Sequence, residues 1–400
     1  MNIPTGWRLD VVGGALAGTQ YGTSVPSSGS GTRPIVGMRN LVNGIVSLSN
    51  LACVDEEAQD WSTLTLRRGD ILLNRTNSPD LVGKIGIVRE QTNAVFASYL
   101  VRLEPDLDQV APEYLACWLG SPMIQGRIRK LATRGVSQAN VNPSTLRQHC
   151  PVLLPPLPEQ RKIAEILRTW DDAIDKALEL RKLADTRRAE LAERILAPSH
   201  GTRRKLSELT RPIKTRNSAA VLGRDSVMGV SNRSGLVPMR EQTIAADISR
   251  YQILPPRTFA YNPMRINVGS IAMSRLESDV LVSPDYVLFQ CDERELRPEY
   301  LDHVLTTRWW LHHVNAGASG SVRTRTYYDD LAAISIAAPP IAEQDNVSRA
   351  LDGLSKEIDL LQCKAELLRT QKRGLMQKLL SGQVRVNVAA DIDPGGQDDD

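Results

Sequence analysis

Leu154-Pro155-Pro156-Leu157-Pro158-Glu159-Gln160 opens a long heptad segment, and the same opening returns as Pro339-Pro340-Ile341-Ala342-Glu343-Gln344, 184 positions later. At that constant offset Ile163 falls on Val347, Leu167 on Leu351, Ile174 on Ile358, Leu191 on Leu375 and Ile195 on Leu379, with no gap. Apolar or small residues step by fours and threes in both copies. They are Ile163, Leu167, Trp170, Ile174, Ala177, Ala184, Leu191 and Ile195 in the first, and Val347, Leu351, Leu354, Ile358, Leu361, Ala365, Leu368, Leu375 and Leu379 in the second. A seam of that period, held over about four heptads, predicts a coiled coil rather than an ordinary amphipathic helix. Arg181 and Arg188 interrupt the first seam and Lys372 the second. Pro158 suits a first turn and Glu159 favours the positive end of the helix dipole. Pro198 and Gly382 are the expected stops.

Each such helix would be roughly 60 Å long at 1.5 Å per residue, and could not stand alone in water. Packing of the two copies within one chain is the economical solution. It is antiparallel if the two intervening stretches are to lie at opposite ends. Pairing with a second chain, in a homodimer, is the alternative. A repeat of this size predicts a two-fold object, and a two-fold object suggests a symmetric partner or ligand.

With 400 residues, 42% hydrophobic and 24% charged, the chain exceeds one ordinary core and has a globular composition. No apolar run is long enough to cross a membrane, and Met1-Asn2-Ile3-Pro4-Thr5-Gly6-Trp7 does not resemble a secretion signal. Cys53, Cys117, Cys150, Cys291 and Cys363 are scattered, which fits reduced thiols and provides no zinc motif. A soluble cytoplasmic protein is expected. The net charge of +3 is unevenly spread: +2 over 1–155, zero over 156–200, +4 over 201–338 and −3 over 339–400. Nearly all the basic residues of 201–338 are arginine, whose planar fork suits guanine edges and phosphates.

The stretches before each heptad segment repeat more weakly. Pro112-Glu113-Tyr114-Leu115 matches Pro298-Glu299-Tyr300-Leu301, and Gly83-Lys84-Ile85-Gly86 matches Gly269-Ser270-Ile271-Ala272, both at an offset of 186. Asp70-Ile71-Leu72-Leu73-Asn74 is set opposite Arg257-Thr258-Phe259-Ala260-Tyr261, at 187. Short alternating strands with a few helices predict an α+β chain with two mixed α/β domains in pseudo-two-fold repeat. The expected divisions are 1–154, a helix over 155–198, 199–338, a second helix over 339–382, and a disordered acidic tail over 383–400.

With these motifs in view the chain resembles the specificity (S) subunit of a Type I restriction–modification system, over nearly its whole length. Gly69-Asp70-Ile71-Leu72-Leu73-Asn74-Arg75-Thr76 with Leu81-Val82-Gly83-Lys84, and Tyr251-Gln252-Ile253-Leu254 with Tyr261-Asn262-Pro263, carry the resemblance beside the two helix openings. It implies a non-catalytic subunit with two target recognition domains separated by two long antiparallel coiled-coil helices. Double-stranded DNA with a bipartite target, two modification (methyltransferase) subunits and ATP-dependent restriction subunits are the implied partners. No cofactor is implied for this chain; S-adenosylmethionine, ATP and Mg belong to the partner subunits. Glu159, Gln160, Glu343 and Gln344 at the two helix starts are assigned to partner contact.

For DNA contact the first domain offers Arg39, Asn40, Arg75, Asn77, Lys84, Gln138 and Asn140. The second offers Asn232, Arg233, Tyr261, Asn262, Arg265, Arg323 and Arg325. Phosphate contacts supply affinity and a few side chains at base edges supply sequence. No catalytic residue and no metal ligand is assigned. Asn262-Pro263-Met264-Arg265 lacks the second proline and the aromatic of an adenine-methyltransferase motif, and His303, His312 and His313 beside Trp309-Trp310 are read as packing. The rival reading is a homodimeric coiled-coil adaptor with no DNA role, which would need two chains to complete each seam.

Overall fold

In a computed structural model, which describes residues 3–135, 138–197, 202–231, 235–316 and 325–387, the two heptad segments are the helices Leu157–Ile195 and Ile341–Leu380. The seam residues named above are all buried or half-buried. Leu183 and Leu360, off the seam, are 58% and 70% exposed. Gly382 ends the second helix as expected. It is left-handed (φ 71°), and an added Cβ would meet the Pro4 ring, so only glycine fits on both counts. Pro198 and most of the acidic tail lie outside the described residues.

The chain divides into two compact units, Met1–Lys176 with Ala365–Asp400, and Ala177–Lys364. Each unit therefore holds one mixed α/β body and a stretch of both long helices. In the first unit Ile163, Ala164 and Leu167 share a core with Leu379 and Leu380, and Asp171 takes both Lys372 Nζ and Arg89 Nη2. In the second, Ala192 and Leu196 share a core with Val347 and Leu351, and Arg188 Nε donates to Ser355 Oγ at 2.8 Å. Low numbers on one helix meet high numbers on the other in both units. The pairing is antiparallel and is completed within one chain. Arg188 and Lys372, which break the apolar seam, direct their charge across the pair. Arg181 instead is exposed.

The two bodies are built on one frame. The main sheet of the first unit runs Leu16–Tyr21, Leu100–Pro105, Ile71–Asn74, Ile85–Ile87, and continues through Ile45–Val46 and Leu41–Val42. The second runs Thr210–Ile213, Val287–Cys291, Phe259–Tyr261, Ile271–Met273. A short antiparallel pair brackets each body: Arg8–Val11 with Pro151–Leu154, and Arg203–Lys205 with Ser335–Ala337. Helices Pro112–Gly120 and Pro122–Leu131 cover the first sheet; Pro298–Val304 and Arg308–Ala316 take the same places in chain order in the second. The strand register differs by one from the 187-residue offset. Leu73 pairs with Ile85 and Tyr261 pairs with Ile271, so Tyr261 corresponds to Leu73, and Asn262 to Asn74.

A glutamine and a tyrosine fasten each long helix to its body. Gln160 Oε1 accepts from Ala111 N at 2.8 Å, while its Nε2 donates to Gln109 O at 3.1 Å and Pro155 O at 2.8 Å. Gln344 repeats this with Arg297 N (2.8 Å), Glu295 O (3.0 Å) and Pro339 O (2.8 Å). Ala111 and Arg297 are the N-cap residues of the Pro-Glu-Tyr-Leu helices. The tyrosines of those helices reach the strand that feeds each long helix: Tyr114 OH donates to Leu153 O at 2.6 Å and Tyr300 OH to Ala337 O at 3.2 Å. Gln160 and Gln344 are 1% and 0% exposed. Their expected role in partner contact is corrected: both amides are consumed inside the fold.

Gln160→Ala would orphan one buried N–H and two carbonyls, each worth about 1–3 kcal/mol. A destabilisation on the order of 3 kcal/mol is expected for the first unit by denaturant titration, and a loss under about 1 kcal/mol would sink the clamp. His303, 2% exposed, has Nε2 at 3.2 Å from Asp352 Oδ1. Burial, opposed by Asp352 and reinforced by Arg188, holds its pKa below the ordinary 6.5. Below that value the unfolded chain takes up a proton that the folded chain resists, so stability should fall as pH drops through it. Unfolding midpoints compared between about pH 7.5 and 5.5 should show a flatter slope for His303→Gln; equal slopes would exclude His303 as the source.

Candidate nucleic-acid interface

In the first unit the strand Ile71–Asn74 is followed by Arg75 and the short strand Thr76–Asn77, which pairs with Ala139–Asn140. Asn140 stands opposite Thr76, and Val141 N donates to Arg75 O at 2.8 Å. Arg75, Asn77 and Asn140 are thereby brought onto adjoining strands, with exposed Gln138 at the turn before them. Asn77 Nδ2 lies 3.5 Å from Met38 Sδ, which brings in the turn Met38–Asn40. Arg39 is exposed there. Asn40 is turned inward, its Oδ1 accepting from Gly37 N at 2.9 Å, so it shapes the turn rather than pointing out. Lys84 is exposed at the far end of the hairpin, where its carbonyl accepts from Asn74 N at 2.8 Å.

Two tyrosines that local sequence did not single out complete this face. The Arg75 guanidinium lies 5.0 Å from the Tyr21 ring centroid, and Arg75 N donates to Tyr99 O at 3.0 Å. Tyr21 is 51% exposed and Tyr99 44%. Tyr21 belongs to a strand more than fifty residues away in sequence, two places across the sheet. A lone tyrosine in a strand carries no signal that could have identified it. Arg39, Asn40 and Tyr99 also line a cleft of about 580 Å³ together with Ser47 and Ser49.

In the second unit Asn262 closes a turn, its Oδ1 accepting from Met264 N at 3.0 Å, and Arg265 is exposed in the same turn. Thr326 N donates to Pro263 O at 3.0 Å, which places Arg325 beside it, 3.9 Å from Asp285 Oδ1. Lys214 and Tyr327, not anticipated, line a cleft of about 430 Å³ with Arg325. Asn232, Arg233 and Arg323 lie outside the described residues. Tyr261 is a correction. It is fully buried, packs edge-on to Phe289 at 6.3 Å and donates its hydroxyl to Thr326 O at 3.2 Å. Strand side chains alternate faces, so the one-residue difference in register sets Tyr261 with Leu73 on the face of the helix-covered core instead of with Asn74 on the opposite face.

At the helix starts, Glu159 is also corrected. It is 4% exposed, accepts from Trp7 Nε1 at 3.0 Å, and takes Arg385 Nε and Nη2 at 2.7 and 2.9 Å. Arg385 lies 5.6 Å from the Trp7 ring centroid and also donates to Thr5 O at 3.0 Å. The residues after the second helix are thus clasped to the N-terminal segment, and Glu159 is occupied by that clasp. Of the four assigned residues only Glu343 is exposed. Among the described residues no group of histidine, cysteine and carboxylate side chains is arranged to hold a metal, and no helix is long and apolar enough to cross a membrane.

Residues 20–182 match the family described as the Type I restriction modification DNA specificity domain. The chain is 23% identical over 378 residues, covering 88% of it and 87% of the relative, to a protein of Methanocaldococcus jannaschii provisionally named the type I restriction enzyme MjaX specificity subunit. It is 30% identical over 138 residues, covering 34% of it and 28% of the relative, to the type I restriction enzyme EcoBI specificity subunit of Escherichia coli. The fold resembles the Type-I restriction-modification system S subunit from M. genitalium, with a TM-score of 0.58, 13% identity and coverage of 94% and 96%. It also resembles a chain from a study of complex assembly and conformational transition in the type I R-M system, with a TM-score of 0.54, 15% identity and coverage of 96% and 100%.

Tyr261→Phe should leave duplex affinity unchanged and cost about 1 kcal/mol of stability, the value of one hydrogen bond. Arg265→Ala, exposed in the neighbouring turn, should weaken duplex binding several-fold with unchanged unfolding, by an amount that shrinks as salt rises. Fluorescence anisotropy on the assembled complex measures both. Weaker binding by Tyr261→Phe at intact stability would restore Tyr261 to the contact set.

Proposed function

We propose that this chain is a non-catalytic sequence-specificity subunit of a Type I restriction–modification system, like the relatives it matches, and that its two bodies divide the work of reading DNA. Its partners are DNA and the other subunits of a restriction–modification complex. The two bodies, expected over 1–154 and 199–338, are target recognition domains, each reading one half of a bipartite site. The paired helices fix the unspecific spacer between the halves. Two modification subunits bind the helical regions, one per repeat, and methylate an adenine in each half-site with S-adenosylmethionine. Restriction subunits using ATP and Mg join the same assembly.

The observation that carries this reading is a shared frame with unlike edges. The glutamine clamp, the tyrosine anchor and the four-strand order recur in both units. The outward residues after the central strand do not: Arg75 in one unit corresponds to Pro263 in the other. Identical fastening suits two copies of one partner, and different edges suit two different base sequences. The exposed Arg39, Lys84 and Gln138 and the half-buried Arg75, Asn77 and Asn140 are proposed for the first half-site, and the half-buried Asn262 with the exposed Arg265 and Arg325 for the second. Glu343 is the residue at the helix starts left for partner contact. The adaptor reading is not favoured, because each seam finds its complement within the same chain.

Inserting one helical turn, about four residues, into both helices at facing positions should lengthen the spacer by about 6 Å. That is close to two base pairs at about 3.4 Å each. Mapping N6-methyladenine in cells should show both half-sites unaltered and the gap between them widened. A changed half-site with an unchanged gap would refute the division of labour.

A further inference from the structure

Arginines in this chain are commonly tied to carboxylates. Arg33 meets Glu56, Arg102 meets Asp70, Arg257 meets Glu293, Arg297 meets Asp345 and Arg385 meets Glu159. Arg75 is held differently. Its guanidinium lies over the Tyr21 ring at 5.0 Å, and among the described residues it joins no carboxylate in an ion pair. A guanidinium placed by an aromatic ring rather than by a carboxylate keeps N–H donors available to a second partner. Both backbone groups of Arg75 are also fixed, by Tyr99 O at 3.0 Å and Val141 N at 2.8 Å, so the side chain starts from a rigid base.

A second observation falls at the same place. Among the described residues eight buried side-chain nitrogen or oxygen atoms lack a hydrogen-bond partner, and four of them belong to Asn74, Arg75 and Thr76. Unsatisfied buried polar atoms are costly and call for an explanation at the site where they cluster. Arg75 Nε is one of them. A half-buried guanidinium with no carboxylate partner, its Nε enclosed and an exposed aromatic ring beside it, keeps its terminal N–H groups to match two acceptors in one plane. On duplex DNA the base edge with that pattern is guanine, with O6 and N7 in the major groove. A phosphate also accepts a fork, but carries no sequence, and a lysine's point charge serves there nearly as well.

We propose that Arg75, held beside the Tyr21 ring, reads a guanine through its major-groove edge and so sets one base of the first half-site. The proposal rests on the specificity-subunit reading and adds a base identity to it. It has no counterpart in the second half-site, because Pro263 stands where Arg75 would be.

The test is N6-methyladenine mapping in cells that carry the complete complex, with wild type, Arg75→Lys, Arg75→Ala, Tyr21→Phe and Tyr21→Ala. The wild-type motif should contain a guanine, on either strand, in one block. Arg75→Lys and Arg75→Ala should each relax that position alone, with at least about tenfold less methylation at the cognate site for Arg75→Ala. The other block and the spacer should be unchanged. Tyr21→Phe should retain the motif, and Tyr21→Ala should relax the same position as Arg75→Lys. A motif without guanine in the affected block overturns the proposal, as does an Arg75→Lys chain that keeps wild-type sequence preference. Unfolding curves for the purified chains separate loss of reading from loss of fold, and a variant that reads normally despite lacking the fork is decisive against the proposal. If deleting the gene removes no split motif at all, the specificity reading itself fails and this inference falls with it.

Discussion

Two buried side-chain amides govern the architecture. Where a long helix leaves a mixed α/β body, the chain must bend from strand to helix against the N-terminus of a second helix. That geometry strands one N–H and two carbonyls away from water. Glutamine carries an acceptor and two donors on one flat group, and Gln160 and Gln344 each satisfy all three. The hydroxyls of Tyr114 and Tyr300 then fasten the same helix to the incoming strand. Each long helix is therefore held to its own body by directional bonds in a dry site, where leaving them unmade is expensive. The heptad seam and the position of the outward strands both follow from where that helix starts.

Polar groups also set the register of the helix pair. An apolar seam tolerates sliding by a heptad; a charge that must find its partner does not. Asp171 lies between Lys372 and Arg89, so one half-buried carboxylate ties both helices to the first body. Arg188 reaches Ser355 in the second unit. Residues that look like defects in the periodicity thus act as the markers that align it. The Glu159–Arg385–Trp7 clasp restrains the first helix start, whereas Glu343 at the second is exposed. The two repeats are alike in their glutamines and unlike in their glutamates.

The candidate reading edges show what a shared frame permits. Asn74 and Asn262 occupy one position, and their backbone N–H groups bond Lys84 O and Ser270 O alike, at 2.8 and 3.0 Å. Beyond that point the chains part. The first unit continues into a short strand with Arg75 on a tyrosine, while the second turns at Pro263 and exposes Arg265. Backbone hydrogen bonds are indifferent to side-chain identity, so the frame persists while its outer residues are free to change.

The repeat, the heptad helices, the Pro-Glu-Tyr-Leu turns and the α+β class were all legible in the sequence, because they depend on spacing along the chain. Periodicity is a one-dimensional property, and burying an apolar stripe needs nothing beyond the right period. Arg75, Asn77, Asn140 and Arg265 could be nominated as candidates for a related reason, since polar residues that flank a strand at a turn tend to reach the surface. What tertiary structure decided was partnership. Gln160, Gln344 and Glu159 are polar residues at a helix start, where nothing local tells a solvent-facing group from a buried clamp. Their bonds run to residues roughly fifty to more than two hundred positions away. Tyr261 turned on a single step of strand register, and Tyr21 on two intervening strand pairings. Sequence determined which segments would fold and in what phase; three-dimensional contact determined which polar groups were used up inside, and so which remain to meet another molecule.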